Sequence, residues 1–283
     1  MKLSKEDIKN RTSEAVSHLV QSLQSGQSEV LTQYLNAIGR FHNYSFGNIM
    51  LIARQKPQAT HVAGIHTWNK LARFVKKGEK GILILAPMIG RKKTDKTAQS
   101  SADAKDAAAQ LHGFRAVYVF DISQTDGKEL PTLTEVQGDV SGYRERLIEF
   151  VKSQGVELNY FEGISPAKGL SHGGKITLLP GQSPAEEFAT LTHECAHELL
   201  HRGDRRRLTT MQVRETEAEA VAYVVCRSIG LQTGTASADY IQLWNGDAKL
   251  LEESLEAVQQ TAVVILGGIA LGIAPEVTAL TVA

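Results

Sequence analysis

The feature that most constrains this chain is a helix-compatible run past its middle, Thr190-Leu191-Thr192-His193-Glu194-Cys195-Ala196-His197-Glu198-Leu199-Leu200-His201. An α-helix turns once in about 3.6 residues, so His193 and His197 project from one face a turn apart, spaced to share a metal ion, with Glu194 beside them. Those residue types suit one chemistry. Two neutral imidazoles hold a cation such as zinc, the cation acidifies a bound water, and the adjacent carboxylate accepts the proton. A solvated helix face is the bland alternative. Against it, Phe188, Leu191, Ala196, Leu199 and Leu200 alternate with the histidines as in a half-buried helix, and Ser183-Pro184 reads as an N-cap followed by proline at the first helical position.

A third ligand must come from elsewhere. His201 shares the face, but eight residues carry it about 12 Å along the axis from His193, too far for the same ion. The acidic opening of an apolar segment, Arg214-Glu215-Thr216-Glu217-Ala218-Glu219, is the obvious donor. Glu215 and Glu219 share a face, so Glu215 is expected to ligate while Glu219 orients an imidazole, or the two exchange roles. Glu217 points away from Glu215 and reads as an exposed or helix-start carboxylate; acids that merely complement a helix N-terminus explain part of the set. Glu194 is the expected catalytic base. Tyr223 is weighed for oxyanion stabilisation and reads better as a packing residue, as Cys195 reads better as a buried thiol than as a ligand. Arg202 and Arg205 to Arg207 read as a solvated loop rather than a contact near the cleft.

At 283 residues with 42% hydrophobic and 22% charged residues, the chain has the make-up of a globular protein long enough for two domains. Two cysteines, both inside expected helices, suit a reducing cytoplasm. The start lacks an apolar signal core, and the longest apolar run, 261–274, is too short to span a bilayer, so a cytoplasmic protein without membrane association is expected. A net charge of zero conceals a separation. Between Asn36 and Lys93 the bases Arg40, Arg54, Lys56, Lys70, Arg73, Lys76, Lys77, Lys80, Arg91, Lys92 and Lys93 face one acid, Glu79, whereas acids predominate from Ser141 onward. The first half suits a polyanion, and two differently charged halves suggest two jobs.

The expected class is α+β: a basic helix-plus-hairpin module over 1–125, a linker over 126–139 in a turn-rich stretch that begins at Thr125, and a metallopeptidase-like domain over 140–283. In the first, helices over 4–25, from Ser28 and over 46–55 precede a strand at 60–62 and a helix over 65–71. Strands 82–89 and 114–121 pair across a mobile insertion, 91–110. Arg40, Lys76, Lys77 and Lys80 are expected to track phosphates, with Asn48 beside them and Tyr44, Phe46 and Trp68 stacking on bases. Phe46 and Trp68, at helix starts, also fit as core anchors. In the second half, a helix over 143–154 leads to strands at 156–160, 169–172 and 175–179, the last two joined through Gly173-Gly174. The strand just before the motif helix is expected to offer a free edge to an extended peptide. Helices over 212–230, 237–245 and 247–266 complete it.

With both halves in view, the sequence resembles the antirestriction protein ArdC family. The run His42-Asn43-Tyr44-Ser45-Phe46-Gly47-Asn48, then Pro57-Gln58-Ala59-Thr60, Val62-Ala63-Gly64, Thr67-Trp68, Val75 to Ile82 and Leu85-Ala86-Pro87 are similar to its N-terminal single-stranded DNA-binding domain. His193-Glu194-x-x-His197 with Glu215 and Ala218-Glu219 resembles its zincin-like metallopeptidase domain, similar also to ImmA/IrrE peptidases. The segment after His197 is shorter than in that family and carries Arg205-Arg206-Arg207. The resemblance implies binding of single-stranded DNA, a zinc or other divalent ion, a protein or peptide substrate, and protection of incoming DNA from restriction. A DNA-binding shield with a structural metal site, and a peptidase that cleaves a repressor, fit the same residues.

Overall fold

The computed structural model describes residues 2–3, 5–25, 28–90, 110–128, 140–231 and 248–270. The insertion expected at 91–110 lies outside them except for Gln110, as do most of the linker and the helix expected over 237–245.

In the first half, α1 (Lys5–Gln24), α2 (Ser28–Arg40) and α3 (Phe46–Gln55) pack beside an antiparallel sheet. Its centre is β5 (Gln110–Asp121), which pairs on one side with β1 (Lys2–Leu3) and β2 (Val62–Ala63) in succession and on the other with β4 (Ile82–Gly90). The expected pairing of 82–89 with 114–121 is this β4–β5 ladder, with Ile82 opposite Val119. The short helix α4 (Ile65–Lys70) follows β2.

Helix α3 meets the sheet through two amides. Asn48 accepts from the backbone N–H of Leu85 and donates to its carbonyl, at 2.8 and 2.9 Å, and Gln55 does the same for Leu83, at 2.9 Å for both bonds. Asn48 is therefore buried as a fixture of the fold, which corrects its expected place beside DNA. The stretch beginning at Thr125 is corrected as well. Thr125–Gly127 is a strand, β6, paired with Arg73–Val75 (β3), because the buried Arg73 guanidinium donates to the Thr125 hydroxyl and to the carbonyls of Thr125 and Lys128.

The second half carries α5 (Ser141–Ser153) and a mixed sheet in the order β7 (Glu157–Tyr160), β9 (Lys175–Leu178), β8 (Gly169–Ser171). β7 runs parallel to β9 and β8 antiparallel, through a turn in which Gly173 and Gly174 take φ of 77° and 103°. The strand just before the motif helix is thus central. The edge strand against that helix is β8, which corrects the expected free edge: three residues suffice for the hairpin to fold back outside β9.

Then come α6 (Pro184–Leu200), α7 (Gly203–Leu208), α8 (Met211–Ser228) and α9 (Ala248–Ala270). Helix α8 touches α6, α9 and, from the first half, α2. Tyr223 donates its hydroxyl to Asn36 at 3.0 Å and Ser228 donates to the carbonyl of Gly39 at 3.1 Å, so Tyr223 joins two helices rather than facing a reacting group. One buried cluster runs from Ala15 through Ile84 to Ile269, so the described parts of the two halves share a core.

Replacing Asn48 by Ala should leave the N–H and carbonyl of Leu85 without their partner and cost about 1–3 kcal/mol of stability. Urea unfolding measures the loss.

Candidate functional site

The motif helix is fixed at its start by reciprocal capping: Ser183 accepts from the backbone of Glu186, whose carboxylate accepts from the backbone of Ser183, with Pro184 next in line. Phe188, Leu191 and Ala196 are fully buried, which sets the rotation of the helix and turns His193 and His197 toward α8. Their Nε2 atoms face each other at 3.1 Å. Glu215, on the first turns of α8, sets Oε2 at 3.5 Å from His193 Nε2 and Oε1 at 3.5 Å from His197 Nε2. One ligand atom from each of His193, His197 and Glu215 lies within 4.8 Å of the others, a donor set of two imidazoles and a carboxylate that fits a divalent cation.

Glu219 lies one turn on and faces the other nitrogen of His193, Nδ1, at 3.5 Å. It can therefore orient that ring without competing for the position that Glu215 occupies. Burial works against a charged His193, but Glu215 and Glu219 outweigh it and push the pKa up to about 9. The neighbouring imidazoles of His193 and His197 hold the Glu215 carboxyl far below its usual range.

Glu194 is nearly enclosed, and burial raises its pKa against the opposing pull of the two histidines. Its neighbour across the helix surface is Gly169 of β8. A Cβ there would stand 2.8 Å from the Glu194 Cγ and Oε1 and 2.7 Å from Thr190 Cγ2. β8 can lie against the carboxylate because position 169 has no side chain.

The expected exposure of Glu217 is corrected: it is 1% exposed. It does point away from Glu215, but toward packed elements rather than solvent. It accepts from Arg205 at 2.6 Å and from the Ser254 hydroxyl of α9, and stands 3.0 Å from His201 Nε2. Burial raises its pKa, and the bonds from His201 and Ser254 with the charge of Arg205 bring it below the usual value. Arg205, read as part of a solvated loop, is therefore a partner of this carboxylate. His201 lies behind His197, their Nδ1 atoms 3.0 Å apart, and burial lowers its pKa. Cys195 is buried, with its pKa pushed by burial up to about 12.

Glu198 was missed by sequence reasoning. It lies one turn beyond Glu194 on the same side of α6 and accepts from the Ser171 hydroxyl at 2.6 Å, the N–H groups of Gly173 and Gly174 at 2.8 and 2.7 Å, and Arg202 at 3.1 Å. It thereby ties the β8–β9 turn to α6.

In the first half, Lys76, Lys77 and Lys80 are exposed around the β3–β4 turn, Lys76 donating to the Ser123 carbonyl at 3.1 Å. Arg40 is exposed and donates to the Ala59 carbonyl at 3.1 Å. Tyr44 is half-buried, its hydroxyl donating to the Val62 carbonyl at 3.2 Å. The stacking expected of Phe46 and Trp68 is corrected. Phe46 is 7% exposed and Trp68 2%, its indole N–H donating to the Phe120 carbonyl, so the core already covers both rings. The exposed aromatics of this half are Phe74 and Tyr118, each 60% exposed. Strand alternation alone could have suggested Phe74, since Arg73 beside it turns inward.

The Glu198 carboxyl is held below its ordinary value of 4.5, since burial raises it but the bonds from Ser171, Gly174, Gly173 and Arg202 outweigh burial. A depressed folded-state pKa stabilises the protein above the unfolded value, and that contribution is lost as pH falls through the folded value. Urea midpoints should therefore drop below pH about 4.5, and the Glu198→Gln variant should be less stable at neutral pH with a flatter acid limb.

Residues 5–120 match the family model of the N-terminal domain of anti-restriction factor ArdC. The chain is 25% identical over 301 residues to an uncharacterized protein of Bacillus anthracis, covering 92% of this chain and 51% of that protein, so it spans about half the length of that curated relative. Two crystal structures of the antirestriction ArdC protein from R388 plasmid share its fold. The metal-free form gives a TM-score of 0.55 at 19% identity and the Mn(II)-bound form 0.54 at 18%, each covering 92% of this chain and 98% of that protein. Residues 5–120 thus carry an N-terminal domain of the ArdC type, and over most of its length the chain is similar in fold to ArdC.

Proposed function

We propose that this protein is an ArdC-like antirestriction protein that binds single-stranded DNA through its basic first half and carries a metal-dependent peptidase-like site in its second. The observation that carries the second part is the convergence of His193 Nε2, His197 Nε2 and a Glu215 oxygen on one point. The related ArdC protein from R388 plasmid has a Mn(II)-bound form, which supports a divalent ion here, zinc or manganese. When bound, such an ion would supply Lewis acidity and a more acidic water.

The protein's own groups supply the rest. Glu194, its proton affinity raised by burial, accepts a proton from the attacking water and returns it to the leaving amine. Gly169 lets the backbone of β8 approach that carboxylate. Among the described residues β8 is paired only with β9, and its other side gives an extended peptide main-chain partners next to Glu194. Glu219 keeps the His193 ring in orientation.

For DNA, we assign phosphate tracking to Lys77 and Lys80, with Lys76 and Arg40 as contributors, and base stacking to Phe74 and Tyr118. Tyr118 lies against Gly81, where a Cβ would meet its side chain at 2.9 Å, so an aromatic ring is set beside the lysine turn. Tyr44, its hydroxyl already engaged, positions the turn rather than stacking. Antirestriction action, a cytoplasmic setting and a protein substrate belong to this proposal. Among the described residues no helix is long and apolar enough to cross a membrane.

Glu215→Ala should weaken Mn(II) or Zn(II) binding by more than about 100-fold, since a ligand rather than an outer partner is removed. Glu194→Gln should keep the ion and lose peptide hydrolysis; full metal retention in Glu215→Ala defeats the metal reading, and unchanged DNA protection in Glu194→Gln favours a non-catalytic shield. In titrations against single-stranded oligonucleotide, Tyr118→Ala should cost about 1–3 kcal/mol. Replacing Lys77 and Lys80 together by Ala should reduce the slope of log affinity against log salt by about 0.7 for each phosphate no longer neutralised. Affinity indifferent to salt contradicts the DNA assignment.

A further inference from the structure

We propose that Glu217 and His201 form a relay that fixes the tautomer of His197, leaving a lone pair on the nitrogen that faces His193 and Glu215. The inference rests on the metal-centre reading in one respect, that Nε2 of His197 is a ligand atom.

The argument starts at the buried end. The Glu217 carboxylate can only accept hydrogen bonds, and one oxygen is taken by Arg205 and Ser254. The other stands 3.0 Å from His201 Nε2, so that nitrogen carries the hydrogen. His201 is 2% exposed and its remaining nitrogen, Nδ1, faces Nδ1 of His197 at 3.0 Å. Two nitrogens at that separation share one hydrogen. An imidazole that has already placed its hydrogen on Nε2 offers Nδ1 as an acceptor, so the shared hydrogen belongs to His197. The lone pair of His197 then lies on Nε2, the atom 3.1 Å from His193 Nε2 and 3.5 Å from Glu215.

The two candidate ligands are therefore oriented by the same helix in different ways. Glu219 reaches Nδ1 of His193 directly, whereas Glu217 reaches Nδ1 of His197 through one intervening ring. The break in helix geometry at His201, φ −106° and ψ 46°, accompanies the placing of its ring between His197 and α8. His201 and Glu217 are positioning residues: they act through His197 and touch no reacting atom.

The test uses the full chain. Long-range proton–nitrogen spectra of metal-free protein carrying nitrogen-15 histidine should show His197 protonated at Nδ1 and bare at Nε2. His201→Phe, which keeps a ring but removes both nitrogens, should abolish that preference and weaken Mn(II) binding by about 10–100-fold. His201→Gln, whose amide can accept from His197 and donate to Glu217, should restore most of the affinity. A bare Nδ1 on His197 in the metal-free wild type overturns the relay, as does unchanged Mn(II) affinity in a folded His201→Phe protein. If His201→Phe does not fold, the wild-type spectrum decides. Because the tautomer is read without metal, a wild type that binds no Mn(II) would defeat the metal-centre reading separately.

Discussion

Two imidazoles on α6 and a third at its C-cap meet three carboxylates on α8, and the arrangement of the second half depends on that contact. His193 and His197 face Glu215, His193 also faces Glu219, and His201 faces Glu217. The spacing works because i, i+4 and i+8 positions on one helix form a row about 12 Å long, and a second helix packed alongside can bring acids to each point of it. Burial alone would discourage charge on both sides. Here each carboxylate is held ionised by its imidazole or by Arg205, and the exposed end of the row, where Glu215 is about half accessible, is the place where a cation can enter.

The same helix that carries these acids reaches into the first half. Beyond Glu219, α8 becomes almost wholly apolar, with Ala220, Val221, Val224 and Val225 buried, and its last turns meet α2 through Tyr223 and Ser228. The chain thus has two regions of opposite charge built on a shared core. Asn36 and Gly39, which hold α8, come shortly before the turn bearing Tyr44.

Much of the site could be read from local periodicity. One turn between His193 and His197, and one between Glu215 and Glu219, fix shared faces before any tertiary structure is known. Glu217 shows where such reasoning ends: the helical angle correctly turns it away from Glu215, but only the placement of α9 and Arg205 reveals that this direction is interior. Glu198 has the same character, since its partners are backbone amides of a distant turn. In the first half, the strand pair was legible from its apolar runs. The roles of Phe46, Asn48 and Trp68 were not, because an aromatic or amide beside a basic turn looks the same in sequence whether it faces a base or a neighbouring strand.

The amide pair on α3 carries a further implication. Among the described residues β4 is an outer strand, and a bare outer strand invites another chain to zip onto it. Asn48 and Gln55 occupy the outward main-chain groups of Leu85 and Leu83, so this border of the sheet is closed to strand addition at those residues. Another copy of the chain is thereby denied main-chain pairing at Leu83 and Leu85, which removes one route to self-association along this border.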